Sequence, residues 1–175
     1  MTGNTMQDRS IALVGLSGTG KSTVARALAE RTGMPLIDTD RAIERQQGQI
    51  ISALFEQHGE AHFRTLEQAA LAEALGGTAA VVATGGGIVL RPANRTLLRE
   101  LALVVWLDAP TEDLVARLAA HDEERPLLSG EAHAKLEALR AARAALYADV
   151  AHHQIITSGR AASEIAQEIL RIYRP

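Results

Sequence analysis

Residues 10–33, SIALVGLSGTGKSTVARALAERTG, restrict the fold more tightly than any other stretch of the chain. A brief apolar, β-branched run reads as a strand, and the alanine- and leucine-rich segment from Lys21 onward reads as a helix. Between them GLSGTGKS, Gly15 to Ser22, satisfies G-x-x-x-x-G-K-[ST] at every fixed position and in the strand-to-helix context that the pattern requires. Glycines there let successive backbone N–H groups curl around phosphate oxygens, and the helix start adds the positive end of its dipole. Lys21 supplies a mobile cation and Ser22 a hydroxyl suited to Mg2+. Gly18, Thr19, Gly20, Lys21, Ser22 and Thr23 are therefore the candidate nucleotide-binding positions. The overlapping GTGKST fails the dinucleotide pattern G-x-G-x-x-G because its last residue is Thr23, which excludes a nicotinamide dinucleotide.

Four further runs, PLID, AAVVAT, ALVVWLD and QIITS, also read as strands. Helix-patterned stretches lie between them: residues 40–48, 59–77, 92–101, 111–121, 132–150 and 162–173. Five strands interleaved with helices predict a three-layer α/β/α arrangement, a five-stranded parallel sheet covered on both faces. Gly33 and the pair Gly76-Gly77 are placed to end helices, and Pro92 and Pro110 to begin them. HDEERPLLSGE, residues 121–131, breaks the rhythm: polar, with Pro126 and Gly130, it reads as an exposed, mobile connection of the kind from which lids are made. Residues 1–9 read as a flexible N-terminus. With 175 residues, a division would leave each half with a marginal core, so one domain over 1–175 is expected.

A net charge of −3 gives no broad basic surface, so no nucleic-acid partner is expected. The absence of cysteine excludes disulfides, thiolate metal sites and cysteine nucleophiles. No run approaches the roughly 18 apolar residues of a membrane span, so no membrane partner is expected, and a cytoplasmic location is. Aromatics make up only 3% of the chain, which leaves Ala, Leu, Val and Ile to build the core.

Phosphate loops of this kind hold Mg2+ with help from an acidic residue at a second strand end. Two candidates satisfy that pattern: Asp108, closing LVVWLD, and Asp38 in PLIDTD, with Asp40 two residues on. Asp108 also suits a turn or helix start, and Asp40 an N-cap before RAIERQQ. TGGGIV, residues 84–89, leaves a buried strand with three glycines, more than one turn requires, and suggests a ligand lying directly on the backbone. The six histidines show no metal-ligand spacing, and none is assigned a role.

GLSGTGKST, LIDTD, FRTLE, TGGG, RPLL and RAALY occur in the order and rough spacing found in shikimate kinases, and the chain resembles that family from about residue 10 to 172. The resemblance implies a P-loop fold of the nucleoside monophosphate kinase type with a mobile lid, acting as a monomer on ATP and shikimate with Mg2+. It implies that Arg64 and Arg143 bind the substrate carboxylate, which the planar fork of arginine suits. Asp40 would bind ring hydroxyls and receive the proton of the attacking one. Asp38 would orient Mg2+ together with Ser22. Gly85, Gly86 and Gly87 would lie against the substrate, with Phe55, Phe63 and Glu67 around the pocket. Arg125 in the lid would reach the phosphates and act in catalysis with Lys21 and Asp40. Arg117 would pack against adenine, and Arg160 would lie near the base. A sugar-acid kinase of the gluconate type, or a silent ligand sensor, is the alternative.

Overall fold

Ser10–Val14 forms β1, buried at every position; Ser10 accepts from the Ala80 N–H, and the four residues after it are apolar on both sides, as a central strand requires. The computed structural model describes residues 9–121 and 129–173. Around β1 assemble β2 (Leu36–Asp38), β3 (Val81–Ala83), β4 (Ala102–Asp108) and β5 (His153–Ile156), all parallel, in the order β2-β3-β1-β4-β5. Ile11 stands level with Val81 on one side and Leu103 on the other. The chain thus builds outward from β1 to β2 and β3, then crosses to β4. The crevice at the C-terminal ends of β1 and β3 is the switch point where open parallel sheets bind ligands.

Among the described residues seven α-helices cover the sheet: α1 (Lys21–Thr32), α2 (Thr39–Gln47), α3 (Ile51–Gly76), α4 (Pro92–Leu101), α5 (Thr111–His121), α6 (Ser129–Val150) and α7 (Ala162–Tyr173). Alternate strand residues face opposite layers, as the period of two requires. Ile11, Leu13, Leu103 and Val105 pack on Val24 and Leu28 of α1 and Ile165 and Ile169 of α7. Ala12, Val14 and Val104 pack on Leu71 and Leu75 of α3, Leu98 of α4 and Tyr147 of α6. Each fully buried Leu or Ile contributes about 1.5–3 kcal/mol. A smaller cluster, Ile43, Leu54, Phe63 and Ala70, joins α2 to α3.

The five strands fall where the sequence puts them, and the helix ends bring three corrections. Gly33 closes α1 in the left-handed region (φ 72°), donating to the Ala29 carbonyl. Gly77, by contrast, is extended (φ −93°, ψ −152°), so the Gly76-Gly77 pair makes no left-handed cap. Next, α3 starts at Ile51 rather than near Gly59, and Gly59 bends it with φ 76° and ψ 173°. ISALFEQH lacks a strong cap, because Ile50 offers no capping side chain, which is why its sequence does not announce a helix start. Lastly, the polar connection ends sooner than expected, since Ser129 and Gly130 already belong to α6. Its middle, with Arg125 and Pro126, lies outside the described residues, as does nearly all of the 1–9 segment. Among the described residues no helix is long and apolar enough to cross a membrane.

Candidate active site

The loop after β1 is shaped by three glycines with positive φ: Gly15 (141°), Gly18 (85°) and Gly20 (92°). At Gly15 glycine is compulsory twice over, since a Cβ there would sit 2.2 Å from the Leu107 carbonyl oxygen. The loop is thereby pressed against the end of β4. Thr19 tightens the turn by donating to the Leu16 carbonyl at 2.8 Å. Lys21, first residue of α1, folds back so that Nζ donates to the carbonyls of Gly15 and Leu16, each at 2.8 Å. Burial lowers its pKa to about 8, against the opposing pull of Asp40 and Asp38. The ammonium is therefore poised for an anionic partner that would restore its ordinary basicity.

Asp38 ends β2 beside this loop. Its Oδ1 accepts from the N–H groups of Asp40 and Arg41, so Asp38 is the N-cap of α2, and Asp40 sits inside the first turn. The capping role for which Asp40 is also suited falls to Asp38, two residues earlier. The other Asp38 oxygen accepts from Ser22 Oγ at 3.3 Å. A hydroxyl and a carboxylate at that spacing, next to a phosphate loop, form the hard oxygen set that suits Mg2+, which keeps most of its coordination for water and phosphate. The other acidic candidate is engaged elsewhere: Arg140 forks onto both oxygens of Asp108 at 2.8 and 2.9 Å, and the Ala109 N–H donates to Oδ1.

A cleft of about 510 Å3 runs over the loop. Gly18, Thr19, Gly20, Lys21, Ser22 and Thr23 line it on one side, Arg117 and Arg160 at its outer end, and Asp38, Asp40, Gly85 and Gly86 at its inner end. Arg117 of α5 bridges Gly18 to the chain after β5: it donates to the Gly18 carbonyl at 3.1 Å and to Thr157 Oγ1 at 3.0 Å. Arg160 pairs with Glu168 at 2.5 Å.

At the inner end the three glycines after β3 are crowded by side chains from distant helices. A Cβ on Gly87 would lie 2.2 Å from a guanidinium nitrogen of Arg64, and the nearest atom to a Cβ on Gly86 would be an Arg143 nitrogen at 3.5 Å. Both predicted arginines thus reach the same glycine turn from α3 and α6. Arg64 donates to Glu67 at 2.9 Å and to Glu60 at 3.1 Å, and it lies 5.3 Å above the Phe63 ring and 6.0 Å above that of Phe55. Burial opposes its charge, but Glu67 and Glu60 outweigh that and raise its pKa. Phe63 and Glu67 are buried, and the two phenyl rings are 4.6 Å apart.

Two acidic groups converge on Gly85. A Cβ there would meet Asp40 Oδ1 at 2.7 Å and Glu67 Oε1 at 3.2 Å. Both oxygens are buried, and neither accepts a hydrogen bond from any described residue. Burial raises the pKa of each, helped at Asp40 by the Asp38 charge and opposed at Glu67 by Arg64. Orphaned buried acceptors are rare because each forfeits about 1–3 kcal/mol. A pair facing one point is what a ligand with adjacent hydroxyl donors would satisfy.

Several residues of the site were not singled out from sequence. Tyr147, one turn beyond Arg143 in RAALY, donates its hydroxyl to the Gly86 carbonyl at 2.5 Å and stacks 5.6 Å from Trp106. Its spacing from Arg143 was the available signal. Thr39 Oγ1 accepts from the Gly85 N–H at 3.3 Å, and Thr84 donates to the Leu13 carbonyl, tying the glycine turn to β1. Nothing in the pattern distinguishes those threonines. His152 Nδ1 accepts from the Val104 N–H at 3.0 Å, a sheet contact, and lies apart from the cleft.

A parallel sheet with a glycine loop and buried lysine at its switch point, opening onto a pocket of arginines and carboxylates, defines a P-loop phosphotransferase for a small anionic acceptor. The family model described as "Shikimate kinase" matches residues 17–174. The chain belongs to the shikimate kinase family. It is 45% identical over 163 residues to the shikimate kinase of Symbiobacterium thermophilum, covering 92% of this chain and 94% of that one. To the enzyme of Acinetobacter baylyi it is 44% identical over 164 residues, covering 93% and 91%. The solved structure of shikimate kinase from Acinetobacter baumannii in complex with shikimate superposes with a TM-score of 0.86 at 42% identity, covering 94% of this chain and 92% of that one.

Proposed function

We propose that this protein transfers the γ-phosphoryl group of ATP to the 3-hydroxyl of shikimate, giving ADP and 3-phosphoshikimate, in the cytoplasm and as a monomer. The observation that carries the reading is the pairing of two orphaned carboxylate oxygens with two arginines around one glycine turn, within reach of the phosphate loop. Shikimate presents one carboxylate and three ring hydroxyls, and the two kinds of partner match the two kinds of group.

Phosphoryl transfer asks the protein mainly for placement and charge neutralisation. The backbone of Gly18–Thr23 and the Lys21 ammonium hold the phosphate tail, and Arg117 and Arg160 flank the base. Arg64 and Arg143 hold the acceptor carboxylate over Gly86 and Gly87. Asp40 accepts the hydrogen bond of the attacking hydroxyl, and its raised pKa suits it to take that proton as the new P–O bond forms. Mg2+ held by Ser22 and Asp38 would supply further positive charge at the β- and γ-phosphates. Arg125, outside the described residues, is the additional cation that the family resemblance assigns to the phosphates.

The test is ADP release with Mg2+-ATP against a panel of shikimate, quinate, gluconate and nucleoside monophosphates. Turnover dependent on shikimate, with the other acceptors at least about 100-fold poorer in kcat/KM, is the expected result, on the order of what one buried polar group left unsatisfied costs. Preference for gluconate, or no turnover despite tight shikimate binding, would replace the reading.

A further inference from the structure

Arg143 projects from α6, a helix that enters from beyond the undescribed segment, so something must fix its height over Gly86. Arg140, Arg143 and Tyr147 stand at i, i+3 and i+7, on one face of α6. Tyr147 is pinned at one end of that face by its hydrogen bond to the Gly86 carbonyl and its contact with Trp106. At the other end Arg140 is pinned by a fork onto both Asp108 oxygens and by a third bond to the Ala109 carbonyl at 2.5 Å. Asp108 is itself rigid, being the last residue of β4 and accepting from the Ala109 N–H. Glu137, one turn earlier on α6, lies 3.9 Å from Arg140 Nε and accepts from the Thr111 hydroxyl at the start of α5.

Resting on the function proposed above, we infer that Arg140 is a positioning residue: braced on the end of β4, it sets the register of α6 so that Arg143 meets the acceptor carboxylate at Gly86. The inference follows from how the anchors are spaced. Two fixed points seven residues apart span about 10 Å of helix, and Arg143 lies between them. Loss of the Arg140 fork leaves α6 packed through Leu136, Leu139, Leu146 and Val150, but takes away its polar brace on the end of β4, so that Tyr147 is left as the polar tie between this face and the glycine turn. A displacement of about 1 Å at a binding arginine can cost up to 100-fold. The hydrogen bonds and ion pairs of Arg140 go to Asp108, Ala109 and Glu137 and not to the phosphate loop, so the nucleotide side is expected to be indifferent.

Steady-state kinetics of Arg140→Met, Arg140→Lys, Arg143→Ala and the double variant Arg140→Met/Arg143→Ala test this. Arg140→Met should raise the KM for shikimate about tenfold and leave the KM for ATP within about twofold, with Arg140→Lys recovering part of the loss. In the Arg143→Ala background, Arg140→Met should add less than about twofold, because its effect runs through Arg143. A parallel rise in the KM for ATP, an unchanged KM for shikimate, or a fully additive double variant would overturn the inference while leaving the proposed function intact. Should Arg143→Ala itself leave the KM for shikimate unchanged, the assignment of Arg143 fails and this inference with it. If Arg140→Met does not fold, Asp108→Asn replaces one of the two acceptor oxygens by a donor, weakens the same fork from the other side, and carries the same expectations in smaller measure.

Discussion

Gly87 and Lys21 show how much a single position can decide. The Arg64 guanidinium lies where a Gly87 side chain would be. Gly87→Ala should therefore push Arg64 off the turn and raise the KM for shikimate by about 10- to 100-fold, the range for one charged hydrogen-bonding partner, with the KM for ATP steady. Kinetics with each substrate varied in turn checks this. At Lys21 the sign follows from its pKa, lowered to about 8 by burial. Bound polyphosphate favours the charged form and raises that value. Below pH 8 both free and bound forms are protonated, and affinity is flat. Above pH 8 binding takes up a proton, and affinity should fall about tenfold per pH unit until the bound-state value is passed. Calorimetry of nucleotide binding in buffers of differing ionisation enthalpy measures that uptake directly. The loop residues were legible from sequence because their chemistry is local: eight consecutive positions specify the turn, the cation and the hydroxyl. Arg64 and Arg143 were not legible in that way. Each is one arginine among many on a charged helix, and only the family resemblance singled them out. Their common purpose is written in the fold, which brings residues 64, 86 and 143 together.

Among the elements, α3 carries the largest departure from its sequence pattern. Gly59 has φ 76° and ψ 173°, a region reserved for glycine, and it lets Phe55 fold over Phe63 and Arg64. Gly59→Ala should cost about 1–3 kcal/mol and loosen that aromatic stack. Thermal unfolding reads the first effect, and a rise in the KM for shikimate the second. The bend could not be read from sequence, since a glycine flanked by helix-patterned residues marks a helix start or end as readily as an interior kink. Which aspartate caps α2 was equally hard to read. Asp38 and Asp40 are both good caps, and what decides between them is that β2 ends at Asp38, whose side chain then faces its own helix. The strands were legible because each short apolar run had only one way to be buried.

Across the whole molecule, the two faces of one sheet divide the ligands: the start of α1 serves the nucleotide on one face, and the acceptor side chains gather on the other. Leu103 lies in the layer with α1 and α7, remote from the acceptor pocket. Leu103→Ala should cost about 2–5 kcal/mol and lower the melting temperature by roughly 4–20 °C, leaving both KM values unaltered in the folded fraction. The opposite layer carries α3 and α6, and with them every predicted acceptor-binding side chain except Asp40 and the glycines. One feature of that layer gives the molecule an optical gauge. Trp106, the chain's single tryptophan, leans on Tyr147, whose hydroxyl touches the glycine turn. Its fluorescence emission should shift when a hydroxy acid settles at Gly86 and stay unmoved by nucleotide alone, so that titration without labels follows one half of the reaction while remaining blind to the other.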